Sequence, residues 1–344
     1  MKIETEVKYY CLEPERLIKL AETLKFKKVK EVEESDEYFT DIDSNFIKNR
    51  TCLRIRKKNN EKMEITYKGK SESLLGQFCK LENNINADIS EYENYLNLFS
   101  SLGYYSYVEV KKKRSVYELQ NKIYKYSIMI DYLSEIGGFV EFEIVSEENN
   151  KEKLKKELAD FTNKFKKLNL KEATEPYRDI VAKYHYQKLI NNKEVHNLCI
   201  NLDNELLKYE KEFFKQNKEE ISTLCSSNIK WGEYKKNSEI ELKIKGLIEK
   251  YINNIIFDSN NILAVINLLK QMPYNKYFIT KVNKTFFELF LKKLNIETDK
   301  ILYIKNNDTN TLIKNNINIK ETMIINESIK DNVSLLLIII NESK

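Results

Sequence analysis

The stretch that decides the fold is MKIETEVKYY, residues 1–10. In a β-strand, residues two apart project from the same face, so Glu4, Glu6 and Lys8 share one face of this strand. An edge strand with a solvated outer face shows the same alternation. Two carboxylates followed by an ammonium group also suit a divalent metal ion and the phosphate oxygens that it carries. The strand alone leaves both interpretations open.

The composition predicts two domains in a reducing compartment. A chain of 344 residues is long enough for two domains, each with its own core. Its formal net charge is +5 with 32% charged residues, so acids and bases nearly balance and a nucleic-acid-binding tail is excluded. The five cysteines are never spaced as CxxC, which favours a cytoplasmic protein over a disulfide framework or zinc ribbon. No signal peptide and no apolar run of membrane-spanning length is evident, so we expect no membrane partner.

The first half of the chain repeats the alternation of the opening strand, which is typical of strands with one apolar and one charged face. Asn59-Asn60 separates two such segments and predicts a tight hairpin. An open sheet would mix its charges with Thr, Ser and Gln, whereas here Arg and Lys dominate the middle strands and carboxylates mark the first and last. The alternating segments are residues 52–58, 61–70, 77–82, 107–119, 126–133 and 139–145.

A barrel with these charged faces turned inward would form a tunnel lined with cations. The natural ligand of such a tunnel is a polyanion with its metal, most simply a triphosphate with Mg²⁺ or Mn²⁺. A row of inward cations repels itself without an anion, so we expect ligand binding to stabilise the fold.

These motifs resemble those of the CYTH, or triphosphate tunnel metalloenzyme, superfamily. ETEVK has its opening ExExK pattern, and LRIR, EITYKG, VKKKRSVY, MIDYLSEIGGFVEFE and EPYRDIV match its class IV adenylyl cyclase branch in order and spacing over residues 1–185. The resemblance implies an α+β fold with an eight-stranded antiparallel tunnel. It implies catalytic roles for Glu4, Glu6, Lys8 and Glu141, metal binding by Glu4, Glu6, Asp131, Glu141 and Glu143, and a triphosphate clamp of Lys8, Arg54, Arg56, Lys68, Lys80, Lys112 and Arg114.

The activity that the resemblance implies is a metal-dependent reaction of a nucleoside triphosphate, namely conversion of ATP to cyclic AMP and pyrophosphate. If water attacks the terminal phosphorus, the same clamp serves an inorganic tripolyphosphatase or a nucleoside or thiamine triphosphatase. A non-catalytic sensor of triphosphate nucleotides is a third interpretation, although simple binding needs the cations more than the carboxylates. Residues 111–114 lack interleaved aromatic residues, so we expect no nucleic-acid partner. A homodimer is left open.

From residue 195 onward, apolar strands alternate with helices, which predicts a parallel sheet covered on both faces. We therefore predict a triphosphate tunnel domain over residues 1–183, a linker helix over 184–194 and an α/β domain over 195–344. The apolar run at 335–340 is expected to be the last buried strand of this domain. The order of elements resembles the Rossmann-like haloacid dehalogenase-like fold.

In that second resemblance, INLDNELL (200–207) occupies the place of the nucleophilic loop. Asn201 stands where the nucleophilic aspartate belongs, and an amide cannot form an aspartyl-phosphate. We therefore predict a degenerate domain, kept for packing or dimerisation and without phosphatase activity. The other positions that match the motifs are Asp203, Thr280, Lys314, Glu327 and Asp331.

Overall fold

The computed structural model of the protein describes residues 3–69, 72–74, 77–79, 82–146, 151–191, 194–224, 238–255, 260–296, 300–303, 312, 317–325 and 329–343. The chain divides into two compact units. One comprises Met1–Leu98 with Ser106–His185, and the other comprises Phe99–Tyr105 with Tyr186–Lys344. Within the described ranges, no helix is both long enough and apolar enough to cross a membrane.

The first unit is built on a large antiparallel sheet, as predicted. Its strands are β1 (Ile3–Tyr10), β2 (Lys27–Asp41), β3 (Cys52–Lys58), β4 (Lys62–Lys68), β5 (Glu72–Leu74), β6 (Gln77–Cys79), β7 (Glu82–Ala87), β8 (Tyr104–Gln120), β9 (Tyr124–Leu133), β10 (Gly137–Ser146) and β11 (Lys171–Glu172). Nine of them form one sheet in the order β11-β1-β10-β9-β8-β2-β3-β4-β7, and β5 and β6 form a separate two-stranded sheet.

The sheet differs in two ways from the predicted eight-stranded tunnel. Because the two-residue strand β11 pairs with β1, the sheet has nine strands. Among the described residues, no pairing joins the two ends of the strand order, β11 and β7, so the ladder itself is open. The predicted hairpin between β3 and β4 is present. Asn59 and Asn60 both have positive φ, 52° and 55°, as the two central residues of a type I′ turn require.

Of the five helices described in the first unit, the first and the fourth pack on the apolar face of the sheet, whereas the fifth begins against its charged face. They are α1 (Pro14–Thr23), α2 (Asn45–Lys48), α3 (Tyr92–Ser101), α4 (Lys151–Asn163) and α5 (Tyr177–Ile190). Leu17 of α1 and Phe161 of α4 pack with Val140, Phe142 and Ile144 of β10 in one buried cluster. This packing leaves the charged residues of β10, at alternate positions, on the opposite face of the sheet.

The helix predicted over residues 184–194 has different limits. α5 begins earlier, at Tyr177, directly after Pro176, and ends at Ile190. Residues 192–193 lie outside the described residues. The difference arises because proline suits the start of a helix, where its missing N–H is not needed for intrahelical hydrogen bonding. The motif EPYRDIV therefore supplies a helix start.

The second unit contains a four-stranded parallel sheet. Its strands are β12 (Asn197–Asn201), β13 (Asn275–Thr280), β14 (Lys300–Tyr303) and β15 (Thr322–Ile325), in the order β14-β13-β12-β15. Its helices are α6 (Asp203–Gln216), α7 (Lys218–Leu224), α8 (Ser238–Asn254), α9 (Asn260–Gln271), α10 (Lys284–Lys293) and α11 (Ile329–Glu342). Alternation of strands and helices is thus found, while the assignment to a haloacid dehalogenase-like fold stays a prediction.

The apolar run at residues 335–340 is not a strand, contrary to the prediction. It forms part of α11, whose Val333, Leu336, Leu337 and Ile339 are at most 1% exposed. A helix buried on more than one side lacks the polar positions that would reveal its 3.6-residue period. For this reason the run could not be distinguished from a buried strand by its sequence.

Candidate functional site

The charged face of the sheet brings together residues from both ends of the first unit. In the register of β1 against β10, Lys8 is paired with Glu141 and Glu6 with Glu143. In the register of β8 against β9, Arg114 is paired with Asp131. Residues directly opposite each other on neighbouring strands project from the same face. The side chain of Glu4 and the whole of Lys80 lie outside the described residues.

A fully buried carboxylate, that of Asp36 in β2, organises the first group of cations. Arg56 of β3 donates to it through Nε (2.5 Å to Oδ1) and Nη2 (2.6 Å to Oδ2). Arg54 Nη1 and Lys112 Nζ lie 3.6 and 3.8 Å from Oδ2. Burial alone would raise the pKa of Asp36, but the hydrogen bonds from Arg56 and the neighbouring cations lower it to about 2. Asp36 is therefore an anion held among three cations.

Glu34, two residues earlier on the same strand, extends this group. Its Oε2 lies 3.3 Å from Lys112 Nζ and 3.5 Å from Arg56 Nη1. Burial opposes the charged form, yet Lys112 and Arg56 outweigh it and lower the pKa of Glu34. Since β2 lies between β8 and β3 in the sheet, its two carboxylates separate the cations of those strands.

Arg114 organises the second group. Its Nε donates to Asp131 Oδ1 at 2.6 Å, and its Nη2 donates both to Asp131 Oδ2 and to Glu141 Oε2, the latter at 2.5 Å. Burial acts to raise the pKa of both carboxyl groups. For Asp131 the contacts with Arg114 reverse this and lower the pKa, whereas burial prevails at Glu141 and raises its pKa. The two neighbouring carboxyl groups are thus driven toward different protonation states.

Tyr177, the first residue of α5, lies against the same face. Its hydroxyl donates to Asp131 Oδ2 at 2.8 Å. The ammonium groups of Lys8 and Lys112 lie 4.2 and 5.1 Å from the centre of its ring. Lys8 also donates to the backbone carbonyl of Glu175. Burial lowers the pKa of Lys8.

Arg54 differs from the other arginines of this face. Its residue surface is only 9% exposed, and its nearest ion-pair partner is the 3.6 Å contact with Asp36. Its Nε has no hydrogen-bond acceptor in the part of the chain that the structure describes. A buried donor without an acceptor is costly, so Arg54 is a ready donor for a bound anion.

The remaining predicted clamp residues follow the expected alternation. Lys68 of β4 pairs in register with Cys52 and with Glu82, on the same face of the sheet as Arg54. Lys111 and Lys113 point to solvent, with side chains 67% and 71% exposed and ion pairs to other surface residues. Between them, Lys112 is buried.

The predicted metal ligands fall into two sets. Asp131 and Glu141 already accept hydrogen bonds from Arg114. Glu6 is exposed and lies opposite Glu143 in the register. In the described residues, no three carboxylate, histidine or cysteine side chains are grouped as a metal site. Carboxylate oxygens are the donors that Mg²⁺ and Mn²⁺ prefer, so these side chains are of the right chemical type for a divalent cation, and metal binding by them stays a prediction.

Three residues of the site were missed by sequence reasoning: Glu34, Asp36 and Tyr177. Glu34 and Asp36 have the two-residue spacing of the other strands, but the tunnel hypothesis predicted only cations in the middle of the sheet. Buried carboxylates thus lie within the predicted row of cations, and the expected link between ligand binding and stability stays a prediction. No periodic signal marks Tyr177, a single aromatic residue at a helix start.

In the second unit, Asp203 and Thr280 meet at the carboxyl ends of β12 and β13. Thr280 Oγ1 donates to Asp203 Oδ1 at 2.6 Å, and the backbone N–H of Lys281 donates to both carboxylate oxygens at 3.0 Å. Asn201 Oδ1 accepts from the backbone N–H of Asp203 at 2.7 Å. The buried Asp203 carboxylate thus holds the loop after β13. Asp331 is exposed, and Lys314 and Glu327 lie outside the described residues.

Comparisons with known proteins agree on the first unit. The CYTH domain family model matches residues 2–177, which include all nine strands of the large sheet. A Methanocaldococcus jannaschii protein named "Putative adenylate cyclase MJ0240" is 27% identical over 157 residues, covering 45% of this chain and 85% of the relative.

Two solved structures are also similar. The PH1012 protein from Pyrococcus horikoshii is 27% identical with a TM-score of 0.41, covering 52% of this chain and 98% of its own. A Hippeastrum protein described as "Putative adenylyl cyclase HpAC1", with a dominant triphosphatase activity, is 17% identical with a TM-score of 0.39, covering 51% of this chain and 92% of its own. On the strength of the family match, this chain belongs to the CYTH domain family.

Proposed function

We propose that this protein is a divalent-metal-dependent enzyme that acts on a nucleoside triphosphate, converting ATP to cyclic AMP and pyrophosphate. The observation that carries the proposal is the buried Arg54 guanidinium, whose Nε has no acceptor in the described part of a face that also holds Arg56, Lys112 and Arg114. Family membership and the adenylate cyclase name of the archaeal relative support the same substrate class.

The arginines suit a triphosphate because their planar forks bind phosphate oxygens at two points and fix their orientation. Arg56 is fixed by Asp36 and Arg114 by Asp131, so neither guanidinium has to be ordered when substrate binds. Preorganised donors of this kind stabilise charge that develops on a leaving pyrophosphate without further reorganisation. Asp36 and Asp131, which fix the two guanidinium groups, would therefore contribute to substrate binding and to the chemical step.

The divalent ion would be held by Glu6 and Glu143, together with the predicted ligand Glu4. When bound, it neutralises phosphate oxygens and polarises the phosphorus centre.

The protein's own groups then handle the proton. In the cyclase reaction the 3′ oxygen forms a bond to the α-phosphorus, the bond to pyrophosphate breaks, and the hydroxyl proton passes to a base. Glu141, whose pKa is raised by burial, is suited to accept it in its ionised form.

A second candidate, hydrolysis of inorganic tripolyphosphate, is favoured by the character of the described contacts. Most of the buried polar residues described on this face are cations and carboxylates suited to phosphate, and no amide side chain that could read a base is among those described buried residues. The two activities need the same clamp and differ in which phosphorus lies beside the nucleophile.

Product analysis separates these candidates. The purified chain is incubated with Mn²⁺ and either ATP or tripolyphosphate, and the products are resolved by ³¹P NMR and ion-pair chromatography. Cyclic AMP with pyrophosphate supports the cyclase, and orthophosphate released faster from tripolyphosphate supports the hydrolase.

Arg56→Lys, which keeps the charge but loses the fork, should raise KM by about tenfold or more. Lys113→Ala, on the solvent side of β8, is the control. No turnover of either compound would overturn the enzymatic proposal.

A further inference from the structure

We propose that Tyr177 is a positioning residue of this site, with its ring holding the Lys8 and Lys112 ammonium groups and its hydroxyl holding Asp131. The inference rests on the proposed function for its kinetic consequences and on the contacts of α5 for its structural ones. Tyr177 is 7% exposed, and its partners Asp131 and Lys112 are also buried, whereas Lys8 is half-buried.

The hydroxyl completes the hydrogen bonding of Asp131. Oδ1 accepts from Arg114 Nε, and Oδ2 accepts from both Arg114 Nη2 and Tyr177. With its acceptor positions engaged from two sides, the carboxylate cannot rotate away from the guanidinium. Since Arg114 also donates to Glu141, the orientation set by Tyr177 is passed on to that carboxyl group.

The ring has a separate role. It lies within cation–π distance of two ammonium groups, at 4.2 Å from Lys8 Nζ and 5.1 Å from Lys112 Nζ. Lysine side chains have flexible four-carbon stems, and an aromatic face in a dry site restricts where their ammonium groups can lie. The ring thus keeps the two cations of β1 and β8 on the same side of the site.

The position of Tyr177 is itself fixed by the segment that leads into α5. The backbone N–H of Ala173 donates to Lys8 O at 2.8 Å, and Lys8 Nζ donates to the carbonyl of Glu175. On the other side, Arg178 Nη1 donates to the carbonyl of Thr51 at 2.9 Å. Phe139 meets the Tyr177 ring edge to face at 5.1 Å. Tyr177 is thus held between the first strand and the start of β3, as a preorganised wall of the site.

Two substitutions separate the ring from the hydroxyl. Tyr177→Phe keeps the ring and removes the donor to Asp131, and Tyr177→Leu removes both. Misplaced catalytic groups reduce the chemical step more than binding, so we expect kcat to fall by about tenfold in Tyr177→Phe, with KM changed by less than about threefold. In Tyr177→Leu we expect kcat to fall by about a hundredfold and KM to rise as well, because the ring also holds Lys8 and Lys112 of the predicted triphosphate clamp. Tyr184→Phe is the matched control, because Tyr184 lies on the same helix and its hydroxyl donates to Glu135 at 3.1 Å.

A spectroscopic measurement tests the positioning without any turnover. In the full chain carrying ¹³C-labelled lysine, the Lys8 Cε protons should show a ring-current shift that is lost in Tyr177→Leu and kept in Tyr177→Phe and Tyr184→Phe. Loss of this shift together with the graded fall in kcat supports the proposal. Wild-type kcat or an unchanged Lys8 signal in Tyr177→Leu would overturn it. If the wild type turns over neither ATP nor tripolyphosphate, the proposed function fails, and the lysine signal alone decides the positioning.

Discussion

The guanidinium of Arg56 and the carboxylate of Asp36 form a two-point ion pair, at 2.5 and 2.6 Å, and the Asp36 side chain is completely buried. The pair joins β2 to β3 across the charged face of the sheet. Buried ion pairs of this geometry contribute little net stability compared with apolar residues, but removal of one partner is costly. We expect the Arg56–Asp36 pair to serve mainly to orient Arg56, because the carboxylate sets the plane of the guanidinium before a phosphate binds.

The first prediction concerns Asp36→Asn. Neutralising this carboxylate leaves Arg54, Arg56 and Lys112 without their shared anion, so we expect a loss of about 3–5 kcal/mol in the free energy of unfolding. Urea denaturation followed by circular dichroism measures it. Added tripolyphosphate should stabilise the variant more than the wild type, because it supplies the missing negative charge. The exposed Glu33, on the same strand but the opposite face, gives the control Glu33→Gln, for which no change is expected. Wild-type stability in Asp36→Asn would contradict the central position of this carboxylate.

A second prediction follows from the pKa of the same group. Asp36 has a pKa of about 2 in the folded protein, against an ordinary value of 3.8. Because the folded-state pKa is depressed, the stabilisation is complete above about pH 4 and is lost as the pH falls toward 2. The lost contribution is roughly 2 kcal/mol. We expect the difference in unfolding free energy between wild type and Asp36→Asn to shrink over this range, as measured by urea denaturation at successive pH values. A difference that is constant from pH 5 to pH 2 would show that Asp36 is not the titrating group.

On this face, local sequence patterns predict the direction of a side chain but not its partner on another strand. The alternation along β8 correctly assigns Lys112 to one face of the strand and Lys111 and Lys113 to the other, because the side-chain period of a strand is fixed at two residues. It does not predict that Asp36 lies between Arg56 and Lys112, because that depends on β2 lying between β3 and β8, and strand order has no local signal. The contact of Tyr177 with Asp131 joins residues distant in sequence and belongs to no repeating pattern.

The apolar run in α11 shows the opposite limit. Where a helix is buried on several sides, hydrophobicity alone does not distinguish its period from that of a strand. By contrast, the alternation of polar residues predicted β1, β3, β4, β8, β9 and β10. It did not predict β5 or β11, and the segment predicted over residues 77–82 includes parts of two strands, β6 and β7. Sequence patterns therefore predicted which residues lie on the charged face of the sheet better than which of those residues contact each other.

A third prediction compares Asp131→Asn with Glu141→Gln. Asp131 accepts three hydrogen bonds and its pKa is lowered by Arg114, so its neutralisation should cost about 3–5 kcal/mol of unfolding free energy. The pKa of Glu141 is raised by burial, so its ionised form is disfavoured in the folded protein and stability falls as the pH rises through this pKa. Neutralisation by Glu141→Gln should therefore cost about 1 kcal/mol or less at pH 7. Equal losses of unfolding free energy in the two variants, measured by urea denaturation, would contradict the opposite pKa shifts assigned to Asp131 and Glu141.

A fourth prediction tests the proposed metal position. Glu6 is exposed, so Glu6→Gln should leave the unfolding transition unchanged. If Glu6 holds the divalent ion, the variant should lose about a hundredfold or more in turnover at a fixed Mn²⁺ concentration, and its Mn²⁺ affinity should fall, as measured by calorimetry. Glu22→Gln, an exposed carboxylate on α1, is the control. Undiminished Mn²⁺ binding in Glu6→Gln would place the metal elsewhere.

The last prediction concerns the second unit. Asn201→Asp restores the carboxylate that a haloacid dehalogenase-like nucleophile needs, yet we expect no hydrolysis of p-nitrophenyl phosphate by the full chain. The reason is that the neighbouring Asp203 carboxylate is already bound by the Thr280 hydroxyl and the Lys281 N–H, and so is engaged within the fold. Asp203→Asn should instead lower the melting temperature, because the loop after β13 loses the buried carboxylate that binds it. Steady phosphatase activity in Asn201→Asp, absent from the wild type, would show that this unit has lost only its nucleophile and not its site.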